Sequence, residues 1–328
     1  MSGLTAVQTR HWAVRSFTGW GLVRSALYVG YAVVFVQQED AVGFPFDRER
    51  LFLWIGALLA ISCLGRPWRR ATSAIADWVP FLAVLWAYEI SRGLADDIGL
   101  PLQVQAQLDV EKFLFFGHVP TVVLQEHLIG HSVGWWELGL AIVYASHFVI
   151  PFAVPAALWL RDRRLWFRYV LRYILITTAG LITYCILPSA PPWMASERGL
   201  LPAVGRPIGR GWGKIHFTAA AELIDAGRIA LNPVAAIPSL HAAFSLLVVA
   251  TVWPHIRRRW VRYALLAYPL AMAFTLVIGA EHYVVDILVG WLYVWIAFVL
   301  ARKIERRWDA RRERRAGTAT DAPAVADV

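Results

Sequence analysis

Three residues of this 328-residue chain have the types and spacing for group-transfer chemistry: His241, His282 and Asp286. His282 and Asp286 stand four apart in Glu281-His-Tyr-Val-Val-Asp286. On a helix that spacing puts an imidazole and a carboxylate on one face, within reach of each other. A neutral imidazole can attack phosphorus and form a covalent phospho-histidine. A carboxylate accepting its other ring N–H fixes the tautomer and stabilises the cation that develops. His241 closes the run Ala-Ala-Ile-Pro238-Ser-Leu-His241 and supplies a second imidazole, suited to protonate a leaving alkoxide and later to deprotonate an incoming hydroxyl. The scheme needs no metal and no cofactor. Each motif alone has a plainer reading, since Pro-Ser-x-His can be a helix cap and a His–Asp pair a structural hydrogen bond. It is their joint placement that points to a site.

That placement depends on a membrane. Hydrophobic residues make up 58% of the chain and charged residues 17%, against the roughly one quarter usual in a soluble domain. The mean hydropathy is +0.51. Seventeen Trp and 11 Tyr suit a protein with two membrane–water interfaces. At about 20 residues per span, eight apolar stretches read as helices: 20–37, 51–65, 78–92, 134–160, 166–188, 238–256, 261–280 and 282–302. The less apolar stretch from Leu100 to Gly130 reads as a helix lying in, or re-entering, the interface. Met1 to Arg15 does not have the pattern of a signal peptide. The fold class is therefore an all-α, polytopic integral membrane bundle of the cell membrane.

Charge orients it. Arg66, Arg69 and Arg70 follow the second helix, Arg161, Arg163, Arg164 and Arg168 join the fourth to the fifth, and Arg257, Arg258, Arg259 and Arg262 join the sixth to the seventh. With Arg10 and Arg15 inside, an eight-helix topology puts all of these and the Arg-rich stretch after Arg302 on the cytoplasmic side, together with both termini. The net charge of +9 is thus spent on topology, and no basic stripe suggests a nucleic-acid partner. Cys63 and Cys185 lie inside apolar segments and read as small hydrophobes. Three regions follow: 1–77 with about two membrane helices, 78–303 as a catalytic membrane domain, and 304–328 as a basic, then disordered, tail. In this topology His241, His282 and Asp286 meet at the extracytoplasmic ends of their helices, a depth at which ionisable groups are costly and mark function.

Pro238-Ser239-Leu240-His241 with His282-Tyr283-Val284-Val285-Asp286 resembles the second and third motifs of the type 2 phosphatidic acid phosphatase superfamily. The closer likeness is to its inositol-phosphorylceramide synthase branch. Tyr184-Cys-Ile-Leu-Pro188-Ser-Ala-Pro191-Pro192-Trp193 resembles another signature of that branch. The resemblance covers about residues 80 to 300. It implies a six-helix core with extra N-terminal helices, His282 as nucleophile, Asp286 as its partner and His241 as acid. It also implies a phosphorylated lipid as substrate, with a hydroxyl acceptor if the enzyme is a transferase. The phosphatase pattern has Gly where Leu240 stands, a Ser-Arg pair where Thr275 and Leu276 stand, and a Lys followed by Arg-Pro that is missing here. The usual cationic clamp is therefore absent, which favours transferase over hydrolase.

Charge on the phosphate still calls for a counter-charge. Arg92, beside Gly93 at the end of the third helix, is the first candidate, with Lys214, Arg198, Arg206 and Arg210 on the outer loops. Ser239, Tyr184 and His147 complete the set of substrate contacts. His147 lies inside the fourth helix and must face the bundle interior, where it either lines a pocket or bridges two helices. A different class of function, a lipid transporter or a non-catalytic scaffold, would fit the same bundle. Against it stand the lack of an internal repeat and a polar cluster at one face instead of the midplane.

Overall fold

The computed structural model describes residues 19–42, 48–97, 100–216 and 234–320, with the side chains of 39–42, 48–52, 70, 85, 87–97, 152, 309 and 311–320 outside that description. The described residues are helical without strands, apart from isolated bridges, and divide into two compact units, Met1–Val79 and Pro80–Val328. The first holds α1 (Gly19–Val42), α2 (Arg48–Cys63) and the opening turns of α3 (Trp68–Asp97). There Trp54 presents its edge to Tyr31 and Phe35, each with ring centroids 4.9 Å away. Arg24 Nη1 donates to the Leu64 carbonyl at 2.8 Å, satisfying an acceptor just past the end of α2.

The second unit contains α4 (Gln105–Leu114), α5 (Pro120–Leu128), α6 (Trp135–Arg161), α7 (Arg163–Ile186), α8 (Pro192–Glu197), α9 (Leu240–Val252), α10 (Arg259–Ile278) and α11 (Val284–Thr320). An apolar helix stands at each of the eight expected places. Four are long and apolar enough to cross a membrane, or five if α6 counts despite a 41° bend, while the apolar parts of α2, α3 and α9 are shorter. The bend has a local cause. Pro155 has no N–H for the Pro151 carbonyl one turn back, and the Tyr169 hydroxyl donates to that carbonyl instead, at 3.2 Å. At its other end α11 continues to Thr320, through the basic stretch.

The helix α9 is the centre of this unit. It is apolar all round, packs on α6, α7, α10 and α11, and buries Leu240, Ala242, Ala243, Phe244, Leu247 and Val249. Such a helix is stable only inside a bundle. It begins at Leu240, two residues later than Pro238 suggests, because Ser239 is the cap: its side-chain oxygen accepts the Ala242 N–H at 3.3 Å. Above it, Ser189 pairs with Gln103 on one side and Ala235 on the other, tying three loop segments into a strip. At the far end Arg172 binds Glu305 at 2.8 Å and lies over the Phe298 ring, which locks α7 to α11. Asp286 and Glu305 are about 30 Å apart along α11, the thickness of a hydrocarbon core.

Gly290 sets how closely α11 can approach α9. A Cβ there would lie 2.5 Å from the Ser239 carbonyl oxygen, and backbone on both sides leaves it nowhere to go. Gly290→Ala should therefore cost about 1–3 kcal/mol and lower the melting temperature in detergent. Gly139→Ala, where a Cβ meets nothing within 4 Å, is the control and should melt no lower than wild type. Equal melting of wild type and Gly290→Ala would show that the two helices do not depend on this contact.

Candidate active site

Two sequence-distant motifs are joined first by backbone. The Ser239 N–H, one residue before α9, donates to the Asp286 carbonyl in the first turn of α11 at 3.0 Å. The Tyr184 hydroxyl, from the end of α7, donates to the Pro238 carbonyl at 2.7 Å and holds the same segment from the other direction. Tyr184 and Ser239 thus serve here as positioning groups, with their hydroxyls directed to backbone.

The turn between α10 and α11 carries His282. It is tight: the N–H groups of Glu281 and His282 both donate to the Leu276 carbonyl, at 3.0 and 3.3 Å, and Ala280 takes the left-handed conformation with φ 57°. A non-glycine residue there costs about 1 kcal/mol or more, so the surroundings must impose it. They do so from three elements. Gln125 of α5 donates to the carbonyls of Ile278 and Gly205 at 2.7 and 2.9 Å. The Trp193 N–H of α8 donates to the Ala280 carbonyl at 3.2 Å. Arg206 grips Glu281 with two hydrogen bonds, Nε to Oε1 at 3.1 Å and Nη2 to Oε2 at 2.8 Å, while its guanidinium covers the Trp193 ring.

The result is a compact polar cluster. His282 Nδ1 lies 3.5 Å from Asp286 Oδ2, an oxygen that also accepts the Tyr283 N–H at 2.9 Å. The His–Asp contact is long for a hydrogen bond, as catalytic contacts often are before substrate arrives. The rings of His241 and His282 are 5.8 Å apart, centroid to centroid. His147 of α6 stacks on His241 with centroids 3.8 Å apart and planes at 29°, and Tyr144 stacks on it at 5.2 Å. His241 Nε2, His147 Nδ1 and Asp286 Oδ1 are buried without a hydrogen-bond partner. Buried polar atoms are nearly always paired in a native protein, so orphans gathered in one cluster, with His282 Nδ1 among them, are what a polar ligand would satisfy.

One carboxylate in this cluster escaped the sequence reading. Glu111, on α4, is fully buried and accepts the N–H groups of Val284 and Val285, at 3.1 and 3.3 Å. The signal was there: with Val104, Leu108 and Phe115 it shares the inward stripe of a short amphipathic helix, where an acid is out of place. The Arg206–Glu281 pair also went unforeseen. Among the cations proposed from sequence, Arg206 is the one held against the residue next to His282. Lys214 lies instead with its ammonium over the Trp135 ring, 5.9 Å from the centroid. Arg210 reaches Glu137 and the Gly130 carbonyl, and Arg198 is exposed. The Arg92 side chain lies outside the described residues.

The profile of the PAP2 superfamily matches residues 107–300, more than half of the chain. The chain belongs to the PAP2 superfamily. The match begins within α4 and ends within α11, and so encloses Glu111, the three histidines and Asp286. A phosphoinositol dihydroceramide synthase from Bacteroides thetaiotaomicron is 29% identical over 252 residues, covering 74% of this chain and 80% of that protein. No solved structure matches. With its apolar helices, this PAP2-superfamily member is a multi-pass membrane protein.

Burial pushes the Glu111 carboxyl up to about 7, against the opposing pull of its two backbone N–H donors, and the nearby Asp286 adds to the rise. The folded protein therefore holds this proton where the unfolded chain has lost it. The resulting stabilisation is full below about 4.5 and is lost as pH rises through about 7. Melting in detergent from pH 5 to 8 should fall across this window in wild type and be flatter in Glu111→Gln. Parallel profiles would show that Glu111 is not the titrating group.

Proposed function

We propose that this protein is a metal-independent lipid phosphotransferase that moves a phosphate-bearing head group to a hydroxyl acceptor through a phospho-histidine on His282. The observation that carries the reading is the cluster itself: His282 backed by Asp286, with His241 Nε2 buried and unpartnered across a 5.8 Å centroid gap. His282 Nε2 attacks phosphorus, its Nδ1–H turns to Asp286, and the bond from phosphorus to the leaving oxygen breaks as His241 donates its proton. In the second half the acceptor hydroxyl gives its proton to His241 and attacks the phospho-histidine, and breaking of the P–N bond restores His282. His147, packed face to face on His241, holds the acid–base ring in place and directs its own Nδ1 to substrate.

Transfer is favoured over hydrolysis by two things: the missing cationic clamp of the phosphatase pattern, and a relative that is a synthase. The positive-inside distribution of Arg supports an active site opening on the extracytoplasmic side, with both termini in the cytoplasm. A phosphorylated membrane lipid is the donor, and a lipid or polyol hydroxyl the acceptor.

The test is product analysis by mass spectrometry, with purified protein in mixed bacterial lipids, with and without hydroxyl acceptors. Wild type should form a new phospho-head-group lipid only when the acceptor is present. His282→Ala should form none while melting as wild type does, and Asp286→Asn should be slower by about 10⁴-fold, the loss seen when a triad's tautomer is wrong. Free phosphate without an acceptor would make the protein a hydrolase. Identical profiles for wild type and His282→Ala would leave a transporter or scaffold as the better reading.

A further inference from the structure

The cap on the catalytic helix comes from another helix, and this has a chemical consequence. The first helical residue of α11 is Val284, so Tyr283 is its N-cap and Asp286 its third position. A tyrosine side chain cannot cap the amides of the first turn. Asp286 performs one half of a capping box: it reaches back to the Tyr283 N–H with the same oxygen, Oδ2, that faces His282. The amides of Val284 and Val285 lie deeper and go to Glu111, one to each carboxylate oxygen. Three successive N–H groups are thus divided between two carboxylates from elements about 170 residues apart in sequence, a spacing of 173 for the first of the Glu111 bonds.

We infer that Glu111 is a positioning residue for the His–Asp pair: by taking the Val284 and Val285 amides it leaves Asp286 free to orient His282. Without Glu111 those two amides would be buried and unpaired, which is costly. A carboxylate placed to relieve them is Asp286, in the same first turn, whose Oδ1 has no partner. Turning toward them would draw Oδ2 away from His282 Nδ1, from a contact that is already 3.5 Å. Other charged or titratable groups around His282 do not take over this role. His241 and His147 are imidazoles that stack with each other, and Glu281 is held by Arg206.

The inference rests on the proposed function for its kinetic test and on amide exchange for a test that does not. Glu111→Gln is close in size and keeps a single acceptor oxygen. It should lower kcat about tenfold or more with KM within about threefold, since a small misplacement of a reacting group costs rate before binding. In an Asp286→Asn background the same substitution should cost nothing further, because its effect passes through Asp286. A purely structural Glu111 would lower both backgrounds alike. Unchanged kcat in a folded Glu111→Gln, or penalties that multiply in the double variant, would overturn the inference. If wild type showed no turnover, the proposed function would fall. Hydrogen exchange would then decide the inference alone: amides in the peptide spanning Tyr283 to Ile287 should exchange faster in Glu111→Gln, with α9 and α7 unchanged, and equal exchange would overturn it.

Discussion

The hydrogen bond from the Ser239 N–H to the Asp286 carbonyl is the constraint on which the rest of the site depends. It joins the start of α9 to the first turn of α11 and is possible only because Gly290 lets the two backbones meet. Given that contact, His241 and His282 face each other across a fixed gap, because His241 lies two residues from one bonded atom and His282 four residues from the other. Flexible side chains could not set the distance between two imidazoles with comparable accuracy. In a membrane protein such a backbone junction has a second function. Buried N–H groups have no water to fall back on, so each must find a protein partner or destabilise the fold by several kcal/mol. The site is therefore built largely from the partners that helix ends require.

Polar groups elsewhere obey the same economy. Arg206 and Glu281 neutralise each other beside His282, and Arg172 and Glu305 do so about 30 Å away at the other end of α11. From Ile287 to Ala301 α11 is apolar, apart from the small contact of the Tyr293 hydroxyl with Thr183 at 2.7 Å. Charge lies at the ends of the span, where water or headgroups reach it, and the interior relies on packing. Gln125 fits this pattern as well, since one neutral amide satisfies the carbonyls of Ile278 and Gly205 and accepts the Gly205 N–H without introducing a charge.

The parts of this arrangement that could be read from sequence were those with a short period or a strong composition. The eight apolar helices were visible as runs, and His282 with Asp286 as an i,i+4 pair. The meeting of that pair with His241 followed from counting helices and following Arg. Two shorter helices show where run length misleads: α9 has 13 residues, enough because it is enclosed by other helices, and α3 reaches 30 by running past the polar residues that seemed to end it. Glu111 was hidden for a different reason. Its partners are backbone amides 173 and 174 positions away, and no side-chain pattern records a carboxylate that caps another helix. Lys214, a cation chosen for its side of the membrane, lies with its ammonium over the Trp135 ring, a contact that its place in the sequence does not record.

Under the proposed reading, the charge of a bound phosphate has to be met without the paired cations that the phosphatase pattern supplies. Arg206 already has two of its nitrogens on Glu281, so as a counter-charge it is largely spent. The α11 terminus, whose dipole would otherwise favour an anion, is occupied by the carboxylates of Glu111 and Asp286. Among the described residues, that leaves the histidines and the α9 terminus, with His241 in its first turn. A site whose described residues hold so little free positive charge binds a singly charged phosphodiester at less cost than a doubly charged phosphomonoester. It also gains most from the proton that His241 delivers to the leaving oxygen. The low cationic content and the second histidine are therefore two sides of one design: where fixed charge is scarce, a mobile proton has to stabilise the departing group.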